Sequence, residues 1–83
     1  MDDIIEISDR LEMSWRRLRA WHWMLMVSTN PAQVGRILHD EARDLIELGR
    51  QFPDHARQIG KLIYAHHQMI KRAEALVPGA DVA

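Results

Sequence analysis

The chain has 83 residues, no cysteine and a net charge of −1, with 47% apolar and 28% charged residues. Those values describe a single folded domain with a small core. They exclude disulfide stapling and give no electrostatic basis for binding nucleic acid or an anionic membrane.

The opening Met1-Asp2-Asp3 lacks the positive start and apolar run of a secretory leader. The longest near-apolar run, Ala20 to Val27, is broken by His22 and falls far short of the ~20 residues that a membrane span needs. A cytoplasmic protein is therefore expected.

A first helix is expected over about 3–27. Asp3 and Glu6 stand in the N-cap and N3 relation of a capping box, and acids crowd the first turns, where the helix dipole favours negative charge. The inner seam reads Ile4, Ile7, Leu11, Ser14, Leu18, Trp21, Leu25. Its alternating spacing of three and four suits packing against a near-parallel helix. Ser14 is its polar member.

The second helix is expected over about 31–49. Asn30 is placed as its N-cap, Pro31 at the first helical position and Gln33 at N3. It carries Val34, Ile37, Leu38, Ala42, Leu45 and Leu48, and Gly49 reads as its C-cap. Phe52-Pro53-Asp54 breaks the chain again, because a residue before proline avoids the helical region.

The third helix is expected over about 54–76, with a frayed tail over 78–83. One stripe holds Ile59, Leu62, His66, Met69, Ala73 and Leu76; a second holds Ala56, Ile63, Ile70 and Val77. Together they form a face wide enough for two neighbours. Gly35 and Gly60, inside helices, suggest close helix approach or a local bend.

Short connections make consecutive helices antiparallel. A turn near residues 29–30 pairs positions of helices 1 and 2 whose numbers sum to about 59, so that Ser14 meets Leu45 and Leu11 meets Leu48. The expected fold is an all-α antiparallel hairpin or three-helix bundle, with dimerisation as one way to complete it.

Arg10, Arg16, Arg17 and Arg19 lie, in that register, beside Asp40, Glu41, Asp44 and Glu47. Interhelical ion pairs that fix register are the expectation for them. Five histidines raise a metal site, but there is no Glu-x-x-His or His-x-x-x-His. No metal or other cofactor is expected. His66 occupies the seam of helix 3 and approaches Glu41 of helix 2. The pair reads as a polar core contact; a pH-responsive interface or a catalytic group are the sharper alternatives. No Gly-rich phosphate loop, nucleophile elbow or catalytic cysteine is present.

The segment from Trp21 to Val27 carries the strongest functional signal. Trp21 and Leu25 belong to the inner seam, but Met13, Ala20, Trp23, Met26 and Val27 fall on the outer side of the helix. An apolar outer face on so small a chain points to a partner protein or to a homodimer. The expected function is a non-enzymatic interaction module of regulator, adaptor or inhibitor type. One alternative is a small dimeric helical enzyme with a site between helices. The other is a DNA-binding helical protein, for which Arg57, Lys61, Lys71 and Arg72 are a thin basic face.

Overall fold

The computed structural model describes residues 2–27 and 29–77, with side chains from Ile7 onward. Three α-helices follow one another: α1 Asp2–Val27, α2 Pro31–Gln51 and α3 Ala56–Ala75, the last entered through a 3-10 turn at Pro53–His55. No strand occurs among the described residues. The fold is an all-α three-helix bundle, with α1 and α3 parallel to each other and α2 antiparallel to both.

The turn between α1 and α2 is built by its sequence. The Asn30 side chain accepts a hydrogen bond from the Gln33 amide at 3.3 Å, and Pro31 fills a position where an N–H would go unused. The Asn30 amide group in turn donates to Gln33 Oε1 at 3.5 Å. The first turn of α1 lies one residue earlier than expected. The capping box of Asp3 and Glu6 and the seam position Ile4 fall outside the described side chains, as does the tail over 78–83.

Gly49 does not cap α2. The helix runs through it to Gln51 and stops at Phe52, whose amide bonds to the Leu48 carbonyl at 2.9 Å. The stop comes from Pro53, which holds the preceding residue out of the helical region. Gly49 instead faces α3, where an added Cβ would lie 3.6 Å from Ile59. At Gly35 the same atom would lie 3.5 Å from Ala73 Cβ. Both distances are ordinary van der Waals contact, so alanine fits at either site. Gly60 faces open space.

The core draws on all three helices. Ile7, Leu11, Leu18 and Leu25 come from α1; Val34, Leu38, Ala42, Leu45 and Leu48 from α2; Ile59, Leu62, Ile70 and Ala73 from α3. Trp21, Phe52, Ile63 and Met69 pack half-buried against it. Two expected stripe members stay out: Ala56 is exposed at the start of α3, and Leu76 is exposed beyond its end. The inner seam of α1 is thus filled by α2 and α3 together, and among the described residues no helix packs over its opposite side.

Candidate functional site

Two regions carry chemistry, one inside the bundle and one outside it. The inner one begins at His66, which is 0% exposed. Its Nδ1 lies 2.9 Å from the Leu62 carbonyl, which only accepts, so Nδ1 carries a hydrogen and donates it. Its Nε2 lies 3.2 Å from Glu41 Oε2. That second contact needs one proton between ring and carboxyl, borne by either group. Arg17 Nε stands 3.8 Å from Glu41 Oε1, so the network joins α1, α2 and α3.

Above this network a cleft of about 270 Å3 opens between α1 and α2. Arg10, Met13, Ser14 and Arg17 form one wall; Glu41, Asp44, Leu45 and Leu48 form the other. Ser14 and Leu45 face each other here as the summed register requires. Sequence spacing located the seam but missed that Arg10, Arg17 and Asp44, just beside it, border an open space.

The arginine cluster departs from the expected set of interhelical pairs. Among the described residues, Arg17–Glu41 is the one Arg–carboxylate pair that crosses between helices. Arg16 turns outward and pairs with Glu12 one turn earlier on α1, at 3.0 Å. Glu47 pairs within α2 with Arg50. Arg19 sits on the α3 side of α1, near Trp15 and Gln58. The cause is angular: the four arginines span about half the circumference of one helix, and only the side next to α2 can reach its acids.

The outer region is the free side of α1. Trp23 is 69%, Met26 68%, Val27 79% and Met13 56% exposed, and Ala20 is exposed as well. Neither α2 nor α3 covers them. Ala20, Trp23, Met26 and Val27 gather on the last two turns of α1, joined by exposed Met24 and by Leu76, just past the end of α3. Met26 and Leu76 line a shallow apolar hollow with His22, Leu25, Arg72 and Ala75. There Arg72 Nη1 donates to His22 Nδ1 at 3.5 Å, tying α3 to α1. Met13 stands apart from this group. It lies ten residues, or about 15 Å, before Trp23 and edges the polar cleft instead. Met24 and Leu76 were missed from sequence: the first lies between the two seams of α1, and the second was assigned to the core.

Among the described residues no group of three or more His, Asp or Glu side chains is placed to hold a metal ion, and no helix is long and apolar enough to cross a membrane. No protein-family model, curated protein or solved structure matches the chain.

Proposed function

We propose that this protein is a non-enzymatic, cytoplasmic interaction module of regulator, adaptor or inhibitor type, and that it acts through the free side of α1. The supporting observation is the exposure of Trp23, Met26 and Val27 on a helix whose inner seam is already filled by the rest of the bundle. Apolar side chains of this size, clustered on a small protein, lose favourable burial unless a partner covers them. Tryptophan supplies a rigid anchor and methionine adapts to an irregular partner surface. Catalysis has less support. Ser14 shares the cleft with Glu41, but His66 does not line that cleft, so no base–nucleophile pair is assembled there.

Affinity capture with wild-type and Trp23→Ala baits, read beside light scattering of both, tests this. Association with a partner protein or with itself should weaken by about thirtyfold or more in the variant, the scale of a hot-spot aromatic, while helix content is unchanged. A monomer that captures nothing, or captures the same proteins with either bait, contradicts it.

A second reading rests on the α1–α2 cleft. Arg10 and Arg17 on one wall and Asp44 and Glu41 on the other suit a small zwitterion whose carboxylate and ammonium groups take opposite sides. Titration calorimetry with free amino acids tests it, and an absence of heat with every one would end it.

A further inference from the structure

The free side of α1 has a pattern along its length as well as an apolar end. From Trp23, stepping back by alternate fours and threes reaches Arg19, Arg16, Glu12, Asp9 and position 5, an isoleucine; stepping forward reaches Met26. Asp9, Glu12, Arg16, Arg19, Trp23 and Met26 are all exposed. An alternating spacing of three and four keeps residues on one stripe of a helix, and it is the spacing by which two long helices pack side by side. The inner seam of α1 has the same spacing and is used within the bundle. Along this outer stripe Glu12 and Arg19 border Gln58 of α3, and Met26 borders Arg72 and Ala75, yet all six side chains stay exposed.

Its charges are ordered. Acids come first, at Asp9 and Glu12, and bases follow, at Arg16 and Arg19. Reversed end to end, the stripe becomes its own complement. Opposing a second α1 in antiparallel fashion, with paired numbers summing to 28, sets Glu12 against Arg16 and Asp9 against Arg19. Two-fold symmetry repeats each pairing on the other side of the axis. A parallel pairing would set acid on acid and base on base. The Glu12–Arg16 pair within each helix, at 3.0 Å, would meet its copy near the axis as a ring of four alternating charges.

We infer that the protein pairs with a second copy of itself through antiparallel contact of the outer stripes of α1, with Asp9 and Glu12 of each copy facing Arg19 and Arg16 of the other. The inference rests on the proposal that this side of α1 is an interaction surface, and it names the partner. Tryptophan and the neighbouring methionines at the two ends supply the apolar contact. The charges in the middle set direction and register, the part that such charges play between paired helices. The chain's net charge of −1 leaves little general repulsion between copies.

The test is a charge exchange read by light scattering at about 100 μM, where a dimer of micromolar affinity is populated. Wild type should show twice the 9.7 kDa mass of the chain. The variant Asp9→Lys/Glu12→Lys has a wholly basic stripe and should be monomeric, as should Arg16→Glu/Arg19→Glu, whose stripe is wholly acidic. Mixed one to one, the two variants should recover the dimer mass, because each now complements the other. Circular dichroism of each variant checks that helix content is kept, and recovery on mixing is itself possible only for folded chains. Three results would overturn the inference: dimers that persist in both variants, a mixture that stays monomeric, or a monomeric wild type. The last leaves the wider proposal standing on its own test, Trp23-dependent capture of a different protein.

Discussion

At His66 both ring nitrogens are engaged, by the Leu62 carbonyl and the Glu41 carboxyl, and the ring itself is fully buried. The Leu62 carbonyl lies within α3 and also accepts the helical bond of the residue-66 amide, so removing the ring leaves no carbonyl unpaired. Glu41 keeps partial exposure and Arg17 nearby. Packing therefore dominates the contribution of His66. Truncation by His66→Ala should cost about 2–4 kcal/mol through the cavity it leaves. The double change His66→Leu/Glu41→Gln should stay within about 1.5 kcal/mol of wild type, since apolar replacement of a buried polar pair is often near neutral. Urea denaturation measures both, and a costly double variant would show that the network itself holds the helices in place. At Gly60 the direction reverses. Nothing stands within reach of an added Cβ, so Gly60→Ala should stabilise by about 0.5–1 kcal/mol and raise the melting temperature by several degrees. A lower melting temperature would mean that α3 needs the glycine for a reason other than space.

Each element owes its limits to a few residues that are readable in isolation. Asn30 and Pro31 start α2 where the sequence places it, and Asn30→Ala should cost about 1 kcal/mol while Asn30→Gly costs only a few tenths. Thermal unfolding of the two variants separates a lost side-chain cap from a general intolerance at the turn. The antiparallel register of α1 and α2 was also legible, because the turn length fixes which seam positions meet; Arg17 and Glu41, with numbers summing to 58, lie close to the expected 59. Two kinds of feature were not legible. Gly49 resembles a C-cap by residue type, but helix termination depends on Phe52 and Pro53 further on, and a helical glycine gives the same local signal whether it ends a helix or faces a neighbour. That Arg16 turns outward and Arg19 lies toward α3 depended on the side from which α3 approaches α1. Seam spacing states which residues face inward, yet it does not state on which flank each neighbour lies.

For the whole molecule, the bundle divides its apolar residues between two uses. The inner seams of three helices close one core, and the last turns of α1 keep Trp23, Met26 and Val27 in water together with Met24 and Leu76. The excess was visible in the sequence as a second apolar set on α1. Its freedom from cover was not, because that depended on where α3 came to rest. The same side of α1 carries the acid-then-base order that makes an antiparallel copy its complement.

The most direct test is to follow Trp23 alone, in a Trp15→Phe/Trp21→Phe variant, by acrylamide quenching across a dilution series. If the outer stripe of α1 joins two copies, quenching should be strong in dilute protein and should fall as concentration rises and the indole becomes covered. Quenching that is equally strong at every concentration, with the protein folded throughout, would contradict self-pairing through this stripe.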